Sequence, residues 1–186
     1  MKSAPSIPSR EHAPALRRAY FDCRFGQLHV YQAIPPGGGF DERTTLLCLP
    51  APRASAASFQ PLLAPLGSDR SVFALDAPGA GQSDPPNTDD IAALAAAALD
   101  FLLSMRIRAA HVLADGASEG ALAGLLAHAG DRIARVALCA TAPGAAGGLD
   151  GRGVSLLRIA PTIAELGSGT PAAVAQCARL REFLDA

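Results

Sequence analysis

Continuous apolar runs alternate along the chain with stretches in which apolar positions repeat every three or four residues. Four of these runs are typical of strands buried on both faces: residues 44–49, 71–75, 109–114 and 135–140. Between the last three, Leu94, Phe101 and Leu102 fall on one face of a predicted helix, and Leu122 and Leu125 fall on one face of the next. This alternation predicts an α/β fold with a mostly parallel sheet and helices on both faces.

The beginning of the chain has a different pattern. Residues 1–15 are rich in proline and serine and are expected to form a flexible tail. Two short apolar runs at 19–23 and 27–33 then flank Phe25-Gly26, which predicts a hairpin. The folded core is expected to cover residues 16–145.

Residues 146–186 are expected to be a linker followed by helices. The glycine-rich stretch at 147–153 indicates the linker. Residues 155–166 are predicted to be helical with an interruption at Pro161, and Thr170-Pro171 is a typical helix start.

Composition narrows the classes of function. The chain has 186 residues, of which 49% are hydrophobic, enough for one core. A net charge of −1 and no basic patch argue against a nucleic-acid partner. The longest apolar run, 91–103, is too short to span a bilayer, so we expect no membrane partner and a cytoplasmic location. Four scattered cysteines are predicted to be free thiols, with no metal and no cofactor.

The most specific motif follows the apolar run at 71–75. It reads Asp76-Ala-Pro78-Gly79-Ala-Gly81-Gln-Ser-Asp, in which the aspartate can accept hydrogen bonds from turn amides and the glycines can adopt positive φ. A phosphate-binding loop is the alternative, but the lysine that such loops carry is missing. The motif resembles the strand-and-turn signature of the α/β-hydrolase fold family, and it identifies a fold rather than an activity.

The resemblance covers residues 17–144, which implies a sheet truncated after the family's sixth strand. Residues 153–186 resemble the start of the family's cap region. The sixth strand would then be an exposed edge, and we expect self-association through it as a homo-oligomer.

The family's oxyanion loop, usually His-Gly-x-Pro, corresponds to Leu49-Pro50-Ala51-Pro52. By resemblance, the oxyanion donors would be the backbone N–H groups of Ala51 and Ala117. A proline-rich turn without catalytic function is the alternative interpretation.

The family's nucleophile turn has two interpretations here. Gly116-Ala-Ser118-Glu-Gly120 matches G-x-S-x-G, which would make Ser118 the nucleophile. Alignment from either neighbouring strand instead places Gly116, which has no nucleophilic side chain, at that position. Ser118 would then be a serine that caps a helix. Asp115 resembles the aspartate nucleophile of dehalogenase-like relatives, or is a carboxylate at a helix N-terminus.

A catalytic base is also difficult to find. The family order is serine, then acid, then a late histidine. The histidines of this chain are His12, His29, His111 and His128, and none follows residue 130. We therefore expect a catalytically impaired or inactive pseudoenzyme. The alternatives are an esterase-like serine hydrolase that uses Ser118 with a base from elsewhere, and a module that binds a small apolar ligand, an ester or a protein partner.

Overall fold

The structure is a computed structural model that describes residues 13–36, 43–139, 149 and 153–186. The predicted tail lies almost wholly outside these ranges, as do His12 and most of the predicted linker.

One seven-stranded sheet forms the centre of the described chain. Its strands are β1 (Ala15–Cys23), β2 (Gly26–Ile34), β3 (Thr45–Leu49), β4 (Val72–Leu75), β5 (Ala110–Asp115), β6 (Ile133–Cys139) and β7 (Ser155–Ile159). Their spatial order is β1-β2-β4-β3-β5-β6-β7. The hairpin β1–β2 and the pair β2–β4 are antiparallel, and every pair from β4 to β7 is parallel. The predicted fold class is confirmed.

Five α-helices cover the two faces of this sheet. They are α1 (Gln60–Leu66), α2 (Asp90–Ser104), α3 (Glu119–Ala129), α4 (Ile163–Leu166) and α5 (Pro171–Asp185). Leucines of α2 and α3 share one core cluster with Leu47 and Leu49, whereas leucines of α1, α4 and α5 share another with Leu46 and Cys48. Because successive residues of a strand point to opposite faces, β3 contributes to both clusters.

The predicted helix at residues 155–166 is wrong in its first half. Ser155–Ile159 is a strand that pairs in parallel with β6, from Arg135↔Ser155 to Cys139↔Ile159. A segment of five residues, here Ser-Leu-Leu-Arg-Ile, is too short for its periodicity to separate strand from helix, and pairing with β6 decides the outcome. The edge strands of the described sheet are therefore β1 and β7, and the predicted exposed edge at the sixth strand is wrong.

Helices α4 and α5 begin at polar caps. Thr162 and Glu165 form a reciprocal capping box at α4, and the Thr170 side chain accepts a hydrogen bond from the Ala173 N–H at α5. Pro171 occupies the first turn of α5, as the sequence predicts. No helix among the described residues is long and apolar enough to cross a bilayer.

Candidate functional site

The turn after β4 is organised around the buried carboxylate of Asp76. Its Oδ1 accepts hydrogen bonds from the Ser55 hydroxyl at 2.7 Å and the Ala56 N–H at 2.6 Å. Its Oδ2 accepts from the Gln82 N–H at 3.0 Å and lies 2.8 Å from His29 Nδ1. Asp76 and His29 are both fully buried, and this carboxylate is the partner of four polar groups, of which His29 Nδ1 and the Ala56 N–H are also buried.

Glycine is required at two positions of the same turn. The Ala80 N–H donates to the Ala77 carbonyl at 2.9 Å, and Pro78 and Gly79 lie between them, with Gly79 at φ 77°. Proline followed by a residue of positive φ is the type II arrangement. Gly81 has φ 57°, and a Cβ atom there would lie 2.0 Å from Oδ2 of Asp76. The motif thus brings the backbone close to the buried carboxylate.

The loop after β3, which corresponds to the oxyanion loop, is a second tight turn. The Ala54 N–H donates to the Ala51 carbonyl at 3.0 Å across Pro52 and Arg53. Arg53 has φ 64°, so it occupies a conformation that normally favours glycine. Ala51 is half-buried at the start of this turn.

The turn after β5 differs from a strained nucleophile turn. Residues Gly116–Ser118 form a single turn of 3-10 helix directly before α3. Asp115 caps this turn, because its carboxylate accepts the Ala117 N–H at 2.9 Å. Asp115 has φ −63° and Ser118 has φ −91°, and no residue from 115 to 118 has positive φ.

Ser118 is fully buried, and its hydroxyl donates a hydrogen bond to the backbone carbonyl of Pro50. The turn after β5 is therefore joined to the loop after β3 by the side chain that G-x-S-x-G would assign as nucleophile. The Ala117 N–H, one of the two predicted oxyanion donors, already has the Asp115 carboxylate as its acceptor.

The described histidines have other partners. His29 pairs with Asp76, and the exposed His128 lies 2.9 Å from the Gly124 carbonyl within α3. His111, in β5, is buried and hydrogen-bonded by the backbone of Leu184. Glu165 is held by Thr162, whose backbone N–H and hydroxyl lower the pKa of the glutamate. The structure therefore brings no imidazole and carboxylate together at Ser118 in the described residues.

Metal and thiol chemistry find no support in the described part of the chain. No cluster of three or more histidine, cysteine or acidic side chains there could hold a metal ion. The four cysteines are free thiols. Burial raises the pKa of both Cys48 and Cys139, the latter to about 12, so these thiols stay protonated and unreactive.

The pair of His29 and Asp76 was not predicted from sequence. Antiparallel pairing of β2 with β4 places Val30 opposite Leu75, and the next pair along is His29 with Asp76. The Asp76 N–H donates to the His29 carbonyl at 3.0 Å. The sequence places His29 in the predicted hairpin, but only the register of β2 against β4 shows which residue it faces.

Solved structures similar to this chain share its fold. The carboxylesterase CesB from Bacillus subtilis matches with a TM-score of 0.58 and 22% identity, over 70% of this chain and 45% of its own. The enol-lactonase from Burkholderia xenovorans LB400 matches with 0.58 and 24%, over 67% and 47%. The epoxide hydrolase CorEH matches with 0.60 and 15%, over 70% and 44%. No family model and no curated protein sequence matches the chain.

The chain has the α/β-hydrolase fold. It spans less than half the length of these three solved structures, and at such identities the likeness concerns the fold alone.

Proposed function

We propose that this chain is a non-catalytic protein built on the α/β-hydrolase fold, which binds ligand without turning it over. The observation that carries the proposal is the hydrogen bond from the buried Ser118 hydroxyl to the Pro50 carbonyl. A serine nucleophile needs a base that takes its proton and an open approach to the substrate carbonyl. A peptide carbonyl is too weak a base for that step, and a fully buried hydroxyl leaves no approach.

The surroundings of Ser118 support the same conclusion. An oxyanion donor must be free to point at the developing charge, whereas the Ala117 N–H points at the Asp115 carboxylate. Asp115 in turn acts as the cap of the 3-10 turn. An aspartate that uses its oxygen in this way is a helix-capping residue, which argues against Asp115 as a nucleophile.

A binding function is favoured by a cavity at the carboxyl end of β7. It has a volume of about 560 Å³ and lies between the segment after β7 and the first turns of α5. Its lining combines alanines and Pro161 with the polar side chains of Ser168, Thr170 and Gln176 and the carboxylate of Glu165. Open α/β sheets bind ligands outside the carboxyl ends of their strands, and a mixed lining suits a small apolar molecule or ester with few polar groups.

One experiment with three readouts tests the proposal. Wild type and Ser118→Ala are treated with 4-nitrophenyl acetate to measure turnover, with a fluorophosphonate to measure covalent labelling, and with phenyl acetate to measure the melting temperature. We expect no label on Ser118, equal residual turnover in both proteins, and a higher melting temperature with phenyl acetate. Ser104→Ala, an exposed serine on α2, is the matched control.

The outcomes separate the alternatives. Turnover and labelling that both disappear in Ser118→Ala but persist in Ser104→Ala would establish an esterase-like serine hydrolase whose base comes from elsewhere. An unchanged melting temperature with no turnover would contradict binding of this ester class.

A further inference from the structure

The last turn of α5 is held against the amino ends of the central strands by a dense set of polar contacts. Asp185 forms ion pairs with Arg43 at 2.5 Å and with Arg70, whose side chain is buried. Arg135 of β6 donates to the Phe183 carbonyl at 2.6 Å, and its guanidinium lies 5.6 Å from the centre of the Phe183 ring. The segments just before β3 and β4, and strand β6, are thereby connected to the end of one helix.

A second group of contacts fixes the same helix one turn earlier. Arg181 donates to the Pro65 carbonyl at 2.5 Å and to the Asp69 carboxylate at 2.7 Å. Below these contacts, Leu180 and Leu184 are buried in one core cluster with Leu113 of β5. Residues Ala137 and Ile159 belong to that cluster as well, so removal of α5 would expose apolar surface of three strands.

His111 lies at the centre of this arrangement. Its side chain is buried, and the backbone of Leu184 hydrogen-bonds one side of the ring. The other nitrogen, Nδ1, is also buried and has no partner. Arg70 and Arg135 act on the ring as nearby positive charges, and Asp185 as the opposing negative one. A neutral ring fits this site, because a proton on Nδ1 would be a buried donor without an acceptor.

We propose that His111 is a pH-sensitive latch, which holds α5 on the sheet while the ring is neutral and releases it when the ring is protonated. The proton adds a positive charge near the Arg70 and Arg135 guanidinium groups, in a buried site. Release exposes the apolar surface beneath α5. This proposal does not depend on whether Ser118 is catalytic.

The pH range in which α5 is released follows from the direction in which the pKa of His111 is shifted. Burial first, and then Arg70 and Arg135, lower the pKa of His111 from 6.5 to about 4. When α5 is released, the pKa of His111 returns to its ordinary value of 6.5. As the pH falls below 6.5, the released state therefore binds a proton, whereas the docked state stays neutral until about pH 4. Docking therefore weakens between these two values.

Asp185 titrates outside this window. Burial opposes the shift, but hydrogen bonds from Arg70 and Arg43 lower the pKa of Asp185 below 3.8. Its carboxylate therefore stays ionised over the upper part of the His111 window, and its ion pairs are lost as the pH falls through its lowered pKa. A change between pH 6.5 and 5 thus reports the imidazole.

Hydrogen exchange of the full chain at pH 7, 6 and 5, corrected for intrinsic rates, tests the latch. With pKa values of 6.5 and about 4, the opening equilibrium of α5 rises about 20-fold between pH 7 and pH 5. We expect α5 amides to lose protection by that factor while α2 amides keep theirs. We also expect His111→Gln, which stays neutral, to abolish the change, and His128→Gln, on the exposed end of α3, to retain it.

Equal loss of α5 protection in wild type and His111→Gln would overturn the proposal, as would loss of protection in α2 to the same extent. Should His111→Gln fail to fold, NMR titration of the His111 ring in the wild-type chain decides. A ring that titrates well below 6.5 together with α5 release supports the latch, and a ring that titrates at or above 6.5 contradicts it.

Discussion

The turns after β4 and β5 lie at the carboxyl ends of their strands, on either side of β3, and each begins with an aspartate. The two aspartates have different roles. Asp76, after β4, is fully buried and accepts hydrogen bonds from four groups in three separate segments. Asp115, after β5, is half-buried and accepts the Ala117 N–H two residues further along. The first aspartate connects distant parts of the fold, whereas the second shapes its own turn.

Both turns nevertheless support the loop after β3. Asp76 binds Ser55 and Ala56 at the far end of this loop, and Ser118 binds the Pro50 carbonyl at its near end. In an active hydrolase this loop and the turn after β5 leave a gap for the reacting group. Here the Ser118 hydroxyl connects the two segments by donating to the Pro50 carbonyl.

The largest effect should come from Asp76→Ala. The change leaves the buried His29 Nδ1 and Ala56 N–H without a partner and also removes the acceptor of the Ser55 hydroxyl and the Gln82 N–H. We expect it to cost at least about 3 kcal/mol of unfolding free energy. Asp115→Ala is the matched control, since it removes one cap and should cost about 1 kcal/mol. Urea denaturation of both variants measures the difference.

Equal losses in the two aspartate variants would remove the distinction between a connecting and a local carboxylate. Such a result would show that the turn after β5 also carries long-range stability. A change in the denaturant slope would have to be excluded before the comparison is made.

Much of the fold was predictable because its signals are local. The four apolar runs predicted β3 to β6, and the motif from Asp76 predicted the turn with positive φ at Gly79 and Gly81. Strand β7 was missed because Ser155–Ile159 is equally compatible with a helix until β6 lies beside it. Pairing partners are tertiary information, which a short run of residues does not contain.

The candidate site was less predictable because its contacts join residues far apart in the chain. The Ser118 hydroxyl reaches a carbonyl 68 residues away, and nothing near Ser118 in the sequence indicates that acceptor. The alignment that placed Gly116 at the nucleophile position concerned register alone. It could not show that the Ala117 N–H would be taken by Asp115.

An intermediate effect is expected for Ser118→Ala. The change leaves the Pro50 carbonyl without its donor at a buried position, and we expect a loss of about 1–2 kcal/mol in unfolding free energy. In Ser104→Ala the exposed hydroxyl bonds only the Phe101 carbonyl of its own helix, so the loss should stay below about 0.5 kcal/mol. Thermal and urea unfolding of the two variants provide the measurement, and equal losses would argue that Ser118 does not brace the loop.

The smallest effect concerns the loop that both turns support. Arg53 has φ 64°, which costs a residue with a side chain about 1 kcal/mol, whereas glycine adopts it freely. Glycine also gains entropy in the unfolded chain, which offsets part of the benefit. We expect Arg53→Gly to stabilise the protein by about 0.5 kcal/mol.

Arg53→Ala is the control for that variant, because it removes the exposed contact with Asp90 at 3.4 Å but keeps a Cβ atom at positive φ. A gain in Arg53→Gly that is absent in Arg53→Ala would show that the loop is held in a strained turn by its contacts with Asp76 and Ser118. Equal stability of the two variants would mean that the backbone relaxes at Arg53. The loop after β3 would then be less tightly held than either turn implies.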